Sequence, residues 1–365
     1  MRLNYHNPVH SVYGAGAFDT LPELLAGRRA ALVIFPEARA LGLLQRVQQL
    51  LGNQLACVIE DVRPNPDVVE LAATYDAFWQ RHAGVEVLVA VGGGSAIDTA
   101  KALMVANDSG RFEDLVAGLA GEQAFVATRF KSLIAVPTTA GTGSEVTPWA
   151  TIWQRERGRK LSLHLPQTWP SHAVIDPALM LSLPASVTLQ SGLDALSHAL
   201  ESIWNVNANP VSDAFAVAAT QDVLEVLPRL MRELDSLELR GRMAVAALKA
   251  GLAFSNTKTA LAHSISYEMT LRYGVPHGIA CSFPLPIVLQ RAIGRSAERD
   301  AVLANALGVP LDAAAAHLTD FMEKLGVRTR FSDYGVDGEE AERIVRQAQD
   351  GARGRNFIGS LEHAQ

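Results

Sequence analysis

The pattern of apolar and polar positions changes near the middle of the chain. In the first half, short apolar runs rich in β-branched residues alternate with stretches of helical period. We predict buried strands at AALVIF (30–35) and LACVIED (55–61), and further strands at VEVLVAVGGG (85–94) and SLIAVPTT (132–139). Because strands that alternate with helices form parallel sheets covered by helices, this half is predicted to be an α/β domain.

After DPALMLSLP (176–184) long helical stretches follow, with almost no convincing strand. Four of them, which include SGLDALSHALESIWN and LDAAAAHLTDFMEKLG, repeat apolar residues near a period of 3.6. A chain of 365 residues also exceeds the usual size of a single core. We therefore predict an α/β domain over residues 1–183 and an all-helical domain over residues 184–365.

Composition and charge exclude several classes of protein. A net charge of −6 argues against general binding of nucleic acid or anionic membranes, which requires a basic face. Cys57 and Cys281 follow no metal-finger spacing, so we expect a reducing, cytoplasmic location. The N-terminus shows no secretory signal, and no apolar run approaches the ~18 residues that span a bilayer.

Two glycine- and threonine-rich loops follow predicted strands. VGGGSAIDTAK (91–101) leads from a strand into a helix, where backbone N–H groups and the helix dipole favour phosphate, although a tight turn explains the glycines equally well. PTTAGTGSEVT (137–147) follows the next predicted strand, and such paired loops are where open α/β sheets bind ligands. Asp98 would repel phosphate, so it should bond backbone or a polar ring of the ligand, or act only as a first-turn acid.

An aspartate and three histidines in the helical half have spacings that suit a metal. Asp194 and His198 lie at i and i+4 of a predicted helix, a pair that alone is more often a helix-surface hydrogen bond. His263 and His277 are the natural completion. One carboxylate and three imidazoles are compatible with Fe(II), Zn(II), Mn(II) or Co(II).

Several motifs together resemble the iron-containing (group III) alcohol dehydrogenases. They are GGGSAIDTAK, PTTAGTGSEVT, SGLDALSHALE, NANPVSDA (207–214) and AHSISY…VPHG, and they follow one another in order between about residues 5 and 290. The resemblance implies a dinucleotide-binding domain followed by an all-helical metal domain, the architecture shared with dehydroquinate synthase. It also implies a metal-dependent oxidoreductase that uses NADH or NADPH and Fe(II), with Zn(II) as the alternative, on a small aldehyde or alcohol.

The resemblance also assigns candidate residues. The implied metal ligands are Asp194, His198, His263 and His277, of which His277 also counts as a catalytic candidate. The implied cofactor contacts are Gly93, Gly94, Ser95, Asp98, Thr138, Thr139, Thr142, Ser144 and Lys160. The number of subunits is invisible in the sequence, and a homodimer is the general expectation.

Two positions depart from many relatives. Phe35 stands where many have an aspartate, which leaves NADPH open, with Arg39 near its 2′-phosphate. Tyr267 stands where many have a histidine, and this is similar to a branch associated with phosphonate metabolism, which reduces phosphonoacetaldehyde to 2-hydroxyethylphosphonate. Tyr267 is a candidate proton donor or a wall of the pocket. An anionic substrate would need a cation, for which the candidates are Lys258, Arg272, Arg353 and Arg355.

Three alternatives remain open at this stage. The first is a general short-chain alcohol or aldehyde dehydrogenase of the same family. The second is a lyase of the dehydroquinate-synthase type, which typically uses a three-ligand site that begins with a glutamate. The third is a non-catalytic nucleotide-binding protein with a structural metal site, although closed structural zinc sites favour cysteine.

Overall fold

The computed structural model describes residues 4–363. Its strands are β1 (His10–Tyr13), β2 (Ala30–Ile34), β3 (Leu55–Ile59), β4 (Val87–Gly92), β5 (Val105–Ala106), β6 (Arg129–Phe130), β7 (Ser132–Pro137), β8 (Trp149–Gln154), β9 (Arg159–His164) and β10 (His172–Ile175). Its α-helices are α1 (Leu21–Leu25), α2 (Leu43–Leu51), α3 (Val68–Arg81), α4 (Gly94–Leu103), α5 (Phe112–Leu119), α6 (Ala185–Ile203), α7 (Pro210–Leu230), α8 (Leu237–Thr257), α9 (Leu261–Tyr273), α10 (His277–Ala280), α11 (Leu285–Ala292), α12 (Ala297–Leu307), α13 (Leu311–Lys324) and α14 (Gly338–Asp350).

Six strands form one parallel sheet in the order β1-β10-β7-β4-β2-β3. The predicted parallel α/β architecture, followed by helices, is confirmed. After β3 the chain crosses back over β2 to form β4, so the winding direction reverses between β2 and β4. Loops at the carboxyl ends of strands on either side of such a reversal enclose a crevice, which is where open α/β sheets bind ligands.

The strand predictions were incomplete. The run at 55–61 was predicted as a buried strand, but β3 ends at Ile59 and is half-buried, because it lies at an edge of the sheet. Strands β1 and β10 and the antiparallel pair β8–β9 were not predicted. Each of these carries polar or charged residues, such as His10, His172 and Lys160, that interrupt the apolar run on which the prediction depended.

Alternate residues of the central strands face the two sides of the sheet. One side of β2 and β4 packs with α1 and α2, and its strand residues are Ala30, Leu32, Ile34, Val87, Val89 and Val91. The other side packs with α3 and α4, and its strand residues are Ala31, Val33, Leu88 and Ala90. All ten are inaccessible to solvent, as expected for strands of a parallel sheet that is covered on both faces.

A fully buried lysine holds the loop after β7 to helix α4. Lys101 Nζ donates to Ser144 O at 2.6 Å, to Ser144 Oγ at 2.8 Å and to Trp149 O at 2.7 Å. Burial lowers the pKa of Lys101 to about 8, against the opposing charges of Asp98 and Glu145. These bonds fix the loop that was predicted to contact a cofactor.

The chain divides into two compact units. One contains Pro8–Thr139 and Ser144–Met180, and the other contains Met1–Asn7, Ala140–Gly143 and Leu181–Gln365. We propose that these units, described below as the α/β unit and the helical unit, correspond to the two predicted domains. Within the helical unit, α6 packs against α7 and α8, and every residue from Gly192 to Ile203 is buried.

The NANPVSDA motif has a structural explanation in the helical unit. Asn209 caps α7 by accepting from the backbone N–H groups of Val211 and Ser212, and Pro210 occupies the first helical position. Asp213 Oδ1 then accepts from Arg299 Nη1 at 2.7 Å, and both side chains are largely buried. This ion pair joins α7 to α12.

No single helix among residues 4–363 is long and apolar enough to cross a membrane. One bent pair, Ala297–Leu307 with Leu311–Lys324, meets the length and composition criteria together.

Replacing Asp213 with alanine should lower the free energy of unfolding by about 3–5 kcal/mol, because it leaves the buried Arg299 guanidinium with only the exposed carboxylate of Glu298 as an ion-pair partner. The matched control is Asp320→Ala, which removes an exposed pair with Lys324 and should cost less than about 1 kcal/mol. Urea unfolding of both variants, followed by circular dichroism, measures the difference. Equal losses would contradict this account of the pair.

Candidate metal and cofactor sites

Helix α6 provides the first two residues of the predicted metal site. Asp194 and His198 lie one helical turn apart, and both side chains are almost completely buried. His198 Nε2 lies 3.8 Å from Asp194 Oδ1. Because the surrounding turns of α6 are buried on every face, the carboxylate and the imidazole lie inside the helical unit and not on a helix surface.

The two downstream histidines meet the same carboxylate oxygen. His263 lies in the first turn of α9 and its Nε2 is 3.3 Å from Asp194 Oδ1. His277 begins α10 and its Nε2 is 3.9 Å from the same oxygen. Donor atoms of a tetrahedral ion with bonds of about 2.0–2.1 Å lie about 3.3 Å apart. The structure therefore brings the Nε2 atoms of the three predicted histidines within 3.9 Å of one carboxylate oxygen, and that all four residues bind one divalent ion stays a prediction.

Glu201 supports this cluster and was missed by the sequence analysis. Its Oε2 accepts from His263 Nδ1 at 2.7 Å, and its oxygens also accept from the backbone N–H groups of Ala260 at 2.9 Å and His263 at 3.2 Å. The carboxylate fixes the proton on Nδ1, so that the Nε2 lone pair of His263 points toward Asp194. The available signal was the spacing, since Glu201 follows Asp194 by seven residues on one helical face.

His198 is oriented in a similar way by backbone and by an aromatic ring. Its Nδ1 lies 3.3 Å from Gly141 O, and its ring stacks on Phe254 with centroids 4.0 Å apart. A Cβ on Gly141 would lie 2.4 Å from Ser191 O, so only glycine brings this carbonyl so close to α6. The contact leaves His198 Nε2 on the side of Asp194.

Electrostatics place Asp194 and His198 in the protonation states that a metal needs. Burial raises the pKa of Asp194, but the neighbouring histidines, His198 first, lower it further, so the pKa lies well below its usual range. Burial lowers the pKa of His198 to about 4. Asp194 is therefore ionised and His198 neutral near pH 7, which are the forms that ligate metals.

His263 supplies a more direct indication of a missing partner. Its Nε2 is buried and makes no aligned hydrogen bond with any residue between 4 and 363, although Asp194 Oδ1 is 3.3 Å away. Burial lowers the pKa of His263, and the Glu201 carboxylate more than offsets this, so the net shift is upward. A buried lone pair aimed at a carboxylate and two further imidazoles is the arrangement expected for a metal ligand.

Tyr267 lies on α9 one turn after His263, beside an arginine. The ring is half-buried and its hydroxyl is buried. The guanidinium of Arg353 lies over the ring, 5.9 Å from its centroid, and Arg353 Nη1 donates to Thr259 Oγ1 at 2.6 Å. Burial raises the pKa of Tyr267 although Arg353 opposes the shift, so the phenol stays protonated near neutral pH.

The first predicted cofactor loop lies where the winding of the sheet reverses. Gly93 precedes α4, and no side chain in the described part of the chain caps this helix, so its first N–H groups can face an anion. A concave pocket here is lined by residues after β2, after β3 and after β4, among them Phe35, Glu37, Asp61, Gly93 and Ser95. Gly93 and Ser95 thus line a pocket, and binding of a dinucleotide phosphate by Gly93, Gly94 and Ser95 stays a prediction.

The other predicted cofactor residues have different surroundings. Asp98 uses its carboxylate within the protein, because Oδ1 accepts from Ser144 Oγ at 2.7 Å and Oδ2 from Thr151 N at 2.8 Å. Thr138 is buried and Thr139 half-buried at the end of β7. Lys160 lies on β9, 5.6 Å from the ring centroid of Trp153. Direct contact of any of these residues with a cofactor stays a prediction, as does that of Thr142, which belongs to the helical unit.

Comparison with known proteins agrees with this arrangement. The model of the iron-containing alcohol dehydrogenase family matches residues 8–177, and the model of the family's C-terminal domain matches residues 188–362. The NAD-dependent methanol dehydrogenase of Bacillus methanolicus is 33% identical over 361 residues, which cover 94% of this chain and 93% of the relative. The 1,3-propanediol dehydrogenase of Klebsiella pneumoniae is 31% identical, over 92% of this chain and 89% of the relative.

Among solved structures, the sulfoacetaldehyde reductase of Bifidobacterium kashiwanohense in complex with NAD⁺ superimposes with a TM-score of 0.89 at 29% identity. The match covers 100% of this chain and 98% of that one. The chain belongs to the iron-containing alcohol dehydrogenase family. It is therefore an oxidoreductase, which disfavours the lyase and the non-catalytic protein considered above.

Replacing Glu201 with glutamine should weaken binding of a divalent metal about 10- to 100-fold, because the neutral amide loses the negative charge beside His263 Nδ1 and keeps one acceptor oxygen where the carboxylate uses two. The measurement is competition between the apoprotein and a chelator for Zn(II) or Co(II). Glu225→Gln, an exposed position on α7, is the control and should bind as the wild type does. Unchanged affinity in the Glu201 variant would contradict the role given to this carboxylate.

Proposed function

We propose that this enzyme transfers a hydride between NAD(H) and a short aldehyde with an anionic head group, with phosphonoacetaldehyde and 2-hydroxyethylphosphonate as the substrate pair. The observation that carries the dehydrogenase chemistry is the convergence of three imidazoles on Asp194, with Glu201 behind His263. The NAD-dependent relative and the NAD⁺-bound structural neighbour support the choice of cofactor.

Asp194, His198, His263 and His277 would hold the metal, Fe(II) or Zn(II). Such an ion, when bound, supplies a Lewis acid that stabilises charge on a carbonyl oxygen. The buried carboxylate of Glu201 keeps His263 in the required tautomer, and Phe254 and Gly141 O orient His198. His277 is the most exposed of the three histidines, with about a third of its side chain accessible, so it borders the side from which a substrate approaches.

Tyr267 is proposed as part of the substrate pocket. Its buried hydroxyl can donate a hydrogen bond to a substrate oxygen, but its raised pKa makes it a weak proton donor. A wall of the pocket is therefore the better description of its role. The homodimer and the cytoplasmic location remain predictions.

Arg353 is the cation that best suits an anionic head group. Its half-buried guanidinium lies over Tyr267, which is one helical turn from His263. Two of the other candidates are engaged elsewhere on the surface, since Arg272 contacts Glu268 and Glu340, and Arg355 donates to Asp350 O. A guanidinium forms two parallel hydrogen bonds with phosphonate or sulfonate oxygens.

A second candidate substrate is sulfoacetaldehyde, which the solved structural neighbour is named for reducing. Sulfonate and phosphonate are both tetrahedral anions on a two-carbon aldehyde, and they differ in charge near neutral pH. A neutral short-chain aldehyde is the remaining alternative within the family, as the names of the methanol and propanediol relatives suggest.

Arg353→Gln should raise KM for phosphonoacetaldehyde about 10- to 100-fold, since a charged hydrogen bond is worth about 1.5–3 kcal/mol. KM for propanal should change little. Arg355→Gln is the matched control from the same segment, and both substrates should behave with it as with the wild type. Steady-state kinetics with phosphonoacetaldehyde, sulfoacetaldehyde and propanal test this. Equal effects of Arg353→Gln on all three would contradict an anion-binding role.

The pocket beside β2 favours NADH over NADPH. Glu37 and Asp61 place carboxylates in its lining, where they can accept from ribose hydroxyls and repel a 2′-phosphate. Arg39 was expected near that phosphate, but its guanidinium forms an ion pair with Glu60 at 2.7 Å. Arg39 is therefore already engaged by a carboxylate of the same region.

The wild type should have a higher kcat/KM for NADH than for NADPH. The double variant Glu37→Gln with Glu60→Gln should raise kcat/KM for NADPH at least about tenfold, because it removes a repulsive charge and releases Arg39. Glu23→Gln, an exposed change on α1, is the control. A wild type that prefers NADPH would contradict this assignment of the pocket.

A further inference from the structure

Cys281 lies one helical turn after His277, on the same helical face. The backbone N–H of Cys281 donates to His277 O at 2.9 Å, which continues the turn of α10. Residues at i and i+4 lie on the same helical face. Asp194 with His198 and His277 with Cys281 are thus two pairs that each share a helical face.

The thiol of Cys281 also lies close to the carboxylate of Asp194. Cys281 is inaccessible to solvent, and its Sγ lies 3.3 Å from Asp194 Oδ1. One donor atom from each of Asp194, His263, His277 and Cys281 forms a group in which all four atoms lie within 4.8 Å of one another. A sulfur at about 2.3 Å and an oxygen at about 2.0–2.2 Å from one ion would be separated by about the distance observed.

An independent observation points to a ligand at this place. His263 Nε2 is buried, is directed into the same group and lacks an aligned hydrogen bond with any described residue. Without an ion, the one thiol proton of Cys281 can be donated to Asp194 Oδ1 at 3.3 Å or to Gly278 O at 3.5 Å. Both distances are ordinary for a thiol hydrogen bond, so a bound ion would take the place of the thiol proton between Cys281 Sγ and Asp194 Oδ1.

We propose that Cys281 is an additional ligand of the metal held by Asp194 and the three histidines. The inference rests on the proposed function, because it assumes that these residues bind the metal. The bond between Sγ and the ion forms as the thiol proton leaves to solvent, so the step needs no oxidant or reductant. A thiolate makes the donor set softer, which favours Zn(II) and Co(II) over Mn(II) and Mg(II).

The test is spectroscopic and independent of turnover. The full-length apoprotein is loaded with Co(II), and its absorption is recorded in the near ultraviolet, where thiolate-to-cobalt charge transfer appears, and in the visible. The zinc-loaded protein is examined by X-ray absorption, which should show one sulfur at about 2.3 Å besides the lighter ligands at about 2.0–2.2 Å. Cys281→Ser and Cys281→Ala are compared with Cys57→Ser, the other cysteine, which lies on β3 in the α/β unit.

The wild type and Cys57→Ser should show the charge-transfer band and the sulfur shell. Both Cys281 variants should lose these signals, still bind the metal through the histidines, and show an affinity lower by at least about tenfold. A metal-loaded wild type with only nitrogen and oxygen neighbours would overturn the inference and leave the proposed function intact. Absence of stoichiometric metal binding in the wild type would instead overturn the proposed metal site itself.

Discussion

The helical unit depends on one buried carboxylate. Asp194 is enclosed by α6, α9 and α10, and its ionised form is stabilised by three histidines whose Nε2 atoms lie within 3.9 Å of one oxygen. Burying a charge in this way is unfavourable unless other charges or a metal compensate for it. The surrounding helices therefore hold the imidazoles close to the carboxylate, with Glu201 behind His263. These positions offset the free-energy cost of burying the charge of Asp194. A divalent ion would complete the compensation and leave each imidazole neutral.

In the α/β unit, the predicted nucleotide site is made mainly of backbone groups and not of charged side chains. Its chemistry comes from backbone N–H groups at the start of α4 and from the reversal of strand order between β2 and β4. The charged side chains of Asp98 and Lys101 bond the loop after β7 and its flanking backbone. A nucleotide site made of backbone requires the loop to be fixed, and this internal network supplies that rigidity. Asp98 thus bonds other residues of the protein, although it belongs to the GGGSAIDTAK motif that resembles the family's cofactor loop.

The sequence was sufficient to predict the architecture and to select four candidate metal ligands, for identifiable physical reasons. Parallel strands buried on both faces are almost entirely apolar, so β2, β4 and β7 stood out, whereas β1 and β10 carry polar residues and did not. Asp194 and His198 share a helical face, His263 and His277 complete a mixed carboxylate–imidazole set, and the family resemblance implies the same four residues. Glu201 and Cys281 were missed because each is one position in a helical pattern, and only the folded chain shows which buried group each one faces. The partner of Arg39 is Glu60, which lies 21 residues away, directly after the neighbouring strand β3, and sequence spacing does not reveal this pair.

The most direct test of the metal site is anomalous diffraction from crystals of the protein loaded with Fe(II) or Zn(II). Data collected above and below the absorption edge of the metal locate the ion without reference to activity. We expect one dominant anomalous peak per chain, and it should lie between Asp194 Oδ1 and the Nε2 atoms of His198, His263 and His277. The distances from this peak to the atoms that bind the ion should be about 2.0–2.2 Å. A fully loaded protein with its peak at another place, or with none at this cluster, would contradict the account.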